Sequence, residues 1–393
     1  MNNGDFELAK FEQVIHNATV ILELAKSEPN IEVLKQYRGF GGVGQCFHSQ
    51  KLTSMILASI RHVFGEHQEM DILSSIKNTC KSAYYTPSEI IKFIYSYLGN
   101  VCNFKGGDIL EPSCGVGAFI EHMPEDIRQN SNITAIEIDI ITSKIISSIY
   151  QGVEVINKPL QKVDFGGTKY DLIIGNPPYS SEVVDDMAMP DISNNYSIHH
   201  YFLAKCIRLL KDDGILAFVL PSFCMDIPNK HVRNIVDKEA VLIDAIRLPD
   251  NLFSHAKVTI DILFFRKTGN KKHSFTQTVE ISQGKAKERI NKFWMDNSNR
   301  VLGHHTLKWV EVYKRYVPTC TTADSQKVLD YLKSCSFDEK TILNYEEIAG
   351  SPEFIDPLED FIIRLEGLKS ANIGDLPRLI DGIVMDFKAI IGN

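Results

Sequence analysis

The sequence predicts an α/β fold: an open, largely parallel sheet flanked by helices. Three observations carry this. First, apolar, β-branched runs recur at 108–111, 133–139, 153–156, 171–175 and 215–221, with helical periodicity between them. Alternating strand and helix patterns are the mark of βαβ units. Second, the run ending at Glu111 passes through Pro112-Ser113-Cys114-Gly115-Val116-Gly117. Such glycines let a ligand approach the backbone where a helix begins. Third, the run 171–175 stops at Asn176-Pro177-Pro178-Tyr179, where two prolines end ladder pairing and stiffen the turn. In an open parallel sheet, ligands bind at the carboxyl ends of strands.

Composition narrows the class. A chain of 393 residues allows one large domain plus a smaller one, or two to three ordinary domains. No apolar run approaches the ~18 residues that would span a membrane. The first residues lack the basic-then-apolar pattern of a signal peptide. The eight cysteines form no C-x-x-C pair, so they read as thiols of a reducing compartment and not as a zinc site. A cytoplasmic location is the expectation. The net charge of −8 is unevenly spread. Residues 338–393 hold twelve acidic and five basic side chains, whereas 285–315 hold eight basic and three acidic. The second stretch suits either a phosphate backbone or an ordinary solvated face.

In chain order, 5–28 reads as an amphipathic helix with Leu8, Phe11, Ile15, Ala18, Leu22 and Ala25 on its apolar face, and a second helix covers about 50–64. Between them, Gln36-Tyr37-Arg38-Gly39-Phe40-Gly41-Gly42-Val43-Gly44 is glycine-rich. No strand precedes it and no Gly-Lys-Ser/Thr follows, so it is not a P-loop; a flexible turn is the plain reading. Tyr85-Thr86-Pro87 opens a helix, with Thr86 as N-cap, Pro87 at the first helical position and Glu89 completing a capping box. Glu137 ends its strand about 20 residues past the glycine turn, where a carboxylate can hold both hydroxyls of a ribose; Asp139 is the second choice. His199-His200 lacks a third ligand at suitable spacing, so no metal site is expected.

Asn176-Pro177-Pro178-Tyr179 suits an exocyclic amine on a planar base. The Asn176 side-chain oxygen and the Pro177 carbonyl can each accept one amine hydrogen, drawing the nitrogen lone pair towards an electrophile. The Tyr179 ring can stack on the base. This motif resembles that of the amino-group methyltransferases, above all the N6-adenine DNA methyltransferases in which the cofactor motif precedes the catalytic one. Leu110-Glu111-Pro112-Ser113-x-Gly115-x-Gly117-x-Phe119 looks like their cofactor motif. The stretch from Tyr37 to Gly42 also resembles a segment ahead of the methylase domain in large antirestriction proteins of phages and plasmids.

The resemblance implies a Rossmann-like S-adenosylmethionine-dependent methyltransferase fold with a mixed seven-stranded sheet. It implies that Tyr85 and Thr86 touch the methionine end of the cofactor. Glu111, Ser113, Gly115 and Gly117 form its loop, and Glu137 holds its ribose. Asp164 would receive its adenine amine and Phe165 pack on the ring. Asn176, Pro177, Pro178 and Tyr179 would be catalytic. An aromatic near the last strand would sandwich the flipped base against Tyr179; Phe265 is the best placement, then Phe264 and Phe253. The cofactor is S-adenosylmethionine and the partner double-stranded DNA, with a protein partner for target recognition as an alternative.

The expected organisation is an N-terminal helical region, 1–80, a methyltransferase domain, 81–270, and a mainly helical C-terminal region, 271–393, with helices at 280–292 and 322–332. The last region would contact DNA or a partner. Other acceptors stay open: an RNA base, a protein glutamine, or none, in a cofactor-binding protein without turnover.

Overall fold

The computed structural model describes residues 3–80, 85–193, 196–226, 231–252, 258–268, 275–311 and 313–335. Helices α1 (Asn3–Glu23), α2 (Gln50–Phe64) and α3 (Glu69–Thr79) precede α4 (Ser88–Asn100). Then come β1 (Gly107–Glu111), β2 (Ser131–Ile136), α5 (Ile140–Ile149), β3 (Val153–Ile156), β4 (Tyr170–Gly175), α6 (Ile198–Leu209) and β5 (Leu210–Pro221). The sheet is completed through α7 (His231–Glu239), β6 (Ala240–Leu248) and β7 (Ile260–Lys267).

These seven strands form one sheet in the order β3-β2-β1-β4-β5-β7-β6, with β7 alone antiparallel to its neighbours. Strand order reverses between β1 and β4, which opens a crevice at their carboxyl ends. β1 to β5 alternate side chains between two apolar layers. Leu110, Ile173, Leu216 and Phe218 face one with α6, and Ile109, Leu172, Ile174 and Ala217 face the other with α4. A third apolar cluster joins the N-terminal helices to α5 through Ile141 and Ile145. Among the described residues, no helix is long and apolar enough to cross a membrane.

Three local expectations are corrected. The buried face of α1 is Val14, Asn17, Ala18 and Ile21, while Leu8, Ile15 and Leu22 are exposed. Asn17 disguises that face in the sequence, yet it is buried because it clamps the backbone of Arg38 and Gly39. Thr86 does not cap α4: Pro87 occupies the cap position, and the Thr86 hydroxyl accepts a hydrogen bond from Asn176 Nδ2 at 3.0 Å.

The described part of the C-terminal region is not mainly helical. It contains a hairpin of β8 (Thr278–Gln283) and β9 (Ala286–Asn291), and another of β10 (His304–Val310) and β11 (Arg315–Thr321), before α8 (Ser325–Ser334). The expected helix at 280–292 is broken by Gly284, which at φ +57° leads a two-residue hairpin turn. Residues 336–393, including the acidic stretch, lie outside the described residues.

Both hairpins are rooted at the carboxyl edge of the sheet. Asn291 donates from its backbone to Asp226, just past β5, at 2.9 Å. Asp250 donates to Cys320 O at 2.8 Å, and Leu302 to Arg247 O at 2.9 Å. Beneath them Arg247, fully buried, pairs with Asp226 and Asp261 at 2.8 Å each. Its guanidinium lies 4.3 Å from the centre of the Trp294 ring and 3.3 Å from His305 Nε2.

Candidate active site

The crevice between β1 and β4 holds a cavity of about 420 Å³, within the usual size of a small-molecule site. Its floor is the turn after β1. Gly115 and Gly117 take left-handed backbone angles, φ +50° and +80°. A side chain at Gly117 would meet Ile146 and Tyr150 at 2.9 Å, so that position is glycine for close helix packing. Glu111, Ser113 and Gly115 line the cavity, as do Tyr85 and Thr86 from the chain entering α4.

Glu137, at the end of β2, lines it too. Its carboxylate accepts the backbone N–H groups of Gly115 and Asp139, each at 2.8 Å. Burial pushes this carboxyl up to about 7, against those two backbone bonds that lower it. Asp139 is spent elsewhere: it caps α5 through Thr142 N at 2.8 Å and Thr142 Oγ1 at 2.7 Å. Burial and the nearby Glu137 also raise Glu111 well above the usual carboxylate range. Glu111 Oε2 is buried with no hydrogen-bond partner among the described residues. An orphaned buried acceptor of this kind calls for a donor from a ligand.

The motif after β4 is fused to this cofactor-side loop. Ser113 Oγ lies 3.5 Å from Asn176 O. Asn176 and Pro178 line the cavity, whereas Pro177 is buried. Tyr179 is half-buried against the apolar layer of α4, and its hydroxyl donates to Val219 O of β5 at 3.1 Å. The hydroxyl is therefore an anchor for the ring.

Of the expected cofactor and catalytic residues, Gly117, Asp164, Phe165, Pro177 and Tyr179 do not line the cavity. Asp164 is exposed and turns back to accept the Gly166 N–H at 2.9 Å. Phe165 packs edge-on to Tyr170 and onto the core. The wall at this loop comes instead from Lys158, Leu160 and Lys162, just past β3. Their position beyond a parallel strand was the signal available for them.

Phe265 is corrected outright. It is fully buried, paired across the sheet with Leu216 and Leu242, and packed on Phe275 at 5.1 Å. A strand with a neighbour on each side and apolar layers on both faces sends its aromatics into the core. Phe264 is equally buried, stacked on Tyr97 at 4.0 Å. Phe253 lies outside the described residues.

The histidine pair does find a third side chain: His199, His200 and Cys224 bring their ligand atoms within 4.8 Å of one another. Cys224 arrives from the turn after β5, invisible to sequence spacing. The Ser197 hydroxyl lies 2.9 Å from His199 Nε2 and 2.7 Å from His200 Nδ1. Burial first, then the neighbouring His200, lowers His199 to about 3; burial and Arg233 lower His200 to about 4. Neutral imidazoles here form a hydrogen-bonded hub against the loop that leaves Tyr179.

Sequence reasoning missed the glycine-rich segment as a structural partner. Gly39, at φ +63°, lies directly on Tyr85: a side chain there would come within 1.8 Å of Tyr85 Oη and 3.0 Å of Val116 Cγ1. Gly41 donates its N–H to Tyr85 Oη at 3.3 Å. Gln13 and Asn17 of α1 both donate to Gly39 O. The segment is a buttress behind the cavity.

A glycine turn, a carboxylate just past β2 and an amide-proline turn thus meet at the switch point of a doubly wound sheet, the class of site that binds a nucleotide-like group. The N-6 DNA Methylase family model matches residues 59–347, and the chain belongs to that family. It is 35% identical over 157 residues to modification methylase CviBIII of Paramecium bursaria Chlorella virus NC1A, covering 38% of this chain and 40% of that protein. It is 30% identical over 202 residues to type II methyltransferase M.CvrRI of Paramecium bursaria Chlorella virus XZ-6E, covering 50% and 51%. It is 25% identical over 237 residues to the type I restriction enzyme EcoEI methylase subunit of Escherichia coli, covering 53% and 47%. The chain thus spans about half the length, or less, of these relatives. The cofactor of the family is S-adenosylmethionine. The lining suits such a group: Glu111 and Glu137 offer buried carboxyls to hydroxyls, the turn at Gly115 permits close approach, and Ile136, Leu160 and Phe202 offer an apolar surface.

Proposed function

We propose that this protein transfers a methyl group from S-adenosylmethionine to the N6 amine of adenine in double-stranded DNA. The observation that carries the reading is that Asn176 and Pro178 share one cavity with the glycine loop, their turn joined to it through Thr86 and Ser113. When bound, S-adenosylmethionine supplies an electrophilic methyl group.

The chain's residues do the rest. Glu137 accepts the ribose hydroxyls, and Tyr85 and Thr86 border the methionine end. The target adenine leaves the duplex stack, and Tyr179, its ring pinned through Val219, offers it a stacking face. The Asn176 amide, oriented by its bond to Thr86, accepts one amine hydrogen and the Pro177 carbonyl the other. Both acceptors stabilise positive charge as it develops on nitrogen. No strong general base is required, because the methylated amine loses its proton readily. Positioning supplies most of the rate.

The test is methyl transfer to unmethylated genomic DNA, read as N6-methyladenine by mass spectrometry. Asn176→Ala is expected to lose the product while binding the cofactor as the parent does. Survival of activity within about threefold would sink the amide's role. A second reading, a subunit that depends on a target-recognising partner protein, is favoured by the kinship with a type I methylase subunit. Its mark is cofactor binding without transfer until that partner is added.

A further inference from the structure

We infer that the β8–β9 and β10–β11 hairpins form the wall that grips duplex DNA, with Lys285 and Lys314 as phosphate anchors and Trp309 and Tyr316 as a pair that packs on the sugar-phosphate backbone. This rests on the DNA reading above.

Placement comes first. β4, β5 and β6 are parallel, so Asn176, Ser222 and Asp250 leave the sheet at the same edge. Both hairpins are rooted there, at Asp226 and at Arg247, Asp250 and Thr259. They also brace each other, since Leu307 N donates to Gln283 Oε1 at 2.7 Å. The wall therefore rises from the edge on which the adenine must be presented.

Chemistry comes second. Chain segment 285–315 carries the basic excess of eight against three, in a protein that is acidic overall. Each hairpin tip holds a lysine: Lys285 in the two-residue turn, and Lys314, in the left-handed region at φ +48°, beside Arg315. Both lysines are exposed. Trp309 and Tyr316 are direct cross-strand partners, 49% and 41% exposed, and meet edge-to-face at 5.4 Å. The Trp309 indole N–H donates to Glu311 at 2.8 Å, which holds the ring in place. The cations decide for a nucleic acid: the lysines take phosphates, and the rings beside them pack on the sugars of the backbone.

The test is fluorescence anisotropy of the full chain with a labelled duplex of about 20 base pairs, across about 50–200 mM salt. Two exposed double variants are compared, Lys285→Glu with Lys314→Glu, and Trp309→Ala with Tyr316→Ala. The lysine pair is expected to weaken binding at least roughly tenfold and to flatten the slope of log K against log salt by about two. The aromatic pair is expected to lose roughly tenfold, through uncharged contacts with the backbone sugars, with the slope kept. Cofactor affinity by calorimetry stays as in the parent and reports an intact fold; should a glutamate variant lose it, Lys285→Gln with Lys314→Gln takes its place. If both double variants bind the duplex within twofold of a parent that methylates DNA, the hairpin inference falls and the methyltransferase reading stands. A parent that binds the cofactor but not the duplex overturns the hairpin inference, and if it also fails to methylate DNA only the partner-dependent methyltransferase reading stands. Variants that keep the duplex but lose a co-purifying protein would assign the surface to that protein and overturn the inference.

Discussion

Gly39→Ala tests whether the N-terminal helices belong to the cofactor site. The new methyl would sit 1.8 Å from Tyr85 Oη and 2.8 Å from Tyr85 Cζ, at a backbone angle of φ +63°. The left-handed angle costs about 1–2 kcal/mol for a non-glycine residue. The overlap adds about 1–3 kcal/mol, taken as strain or as displacement of the ring. Moving Tyr85 also breaks its bond with Gly41 N–H, about 1 kcal/mol. The total, about 3–6 kcal/mol, falls on a ring that lines the cavity. Gly65→Ala is the internal control, because Gly65 has φ +86° but nothing within 4 Å of a added methyl. Calorimetric titration with S-adenosylmethionine and thermal melting would be run on both variants. Gly39→Ala is expected to weaken the cofactor tenfold or more, by the tenfold-per-1.4 kcal/mol rule, and to melt below the parent, whereas Gly65→Ala, strained at φ 86° and ψ 162° but outside the cavity lining, keeps parental affinity whatever its melting temperature. Adding Tyr85→Phe removes the nearest atom and should restore part of the loss in melting temperature. If Gly39→Ala binds the cofactor normally and melts with the parent, the buttress has no bearing on the site.

Two further outcomes follow from burial. Glu137 is raised from 4.5 to about 7 by burial, so its ionised form is the disfavoured one in the cofactor-free protein. Its contribution to stability is complete below about 4.5 and is lost as pH climbs through about 7, on the order of 3 kcal/mol in all. Glu137→Gln should flatten that part of the stability–pH curve. Cofactor hydroxyls favour the ionised carboxylate, so binding below pH 7 should release a proton, measurable as a buffer-dependent heat; a buffer-independent heat would contradict this. Phe265→Ala should cost about 3–5 kcal/mol of stability and leave discrimination of the target base untouched; a selective loss of DNA binding with normal stability would reinstate it as a stacking residue.

Much of this was legible because strand ends carry local signals. The strand at 153–156 is where its apolar run places it, and Glu111, Gly115, Glu137 and Asn176 meet because each ends or follows a parallel strand. What was illegible depends on tertiary partners. Phe265 looks like any strand aromatic until β7 is known to be flanked by β5 and β6. Thr86 reads as a cap until Asn176, 90 residues on, claims its hydroxyl. Glycines 39 and 41 read as a loose turn, because nothing local foretells a tyrosine ring lying on them. Residues 280–292 carry enough helix formers to hide a hairpin whose decisive residue is Gly284.

If the hairpins grip DNA as inferred, the buried knot of Arg247, Asp226 and Asp261 under Trp294 has a consequence for how target choice can change. A desolvated ion cluster tolerates little variation, because removing one member strands the others in a dry interior. The roots of both hairpins are therefore fixed in angle and height, while the faces they display to solvent are bound by no such constraint. New side chains on those faces would meet a substrate at an unchanged distance from Asn176. On that inference the protein is a mount with replaceable lettering: sequence preference would drift while the geometry at Asn176 stays still.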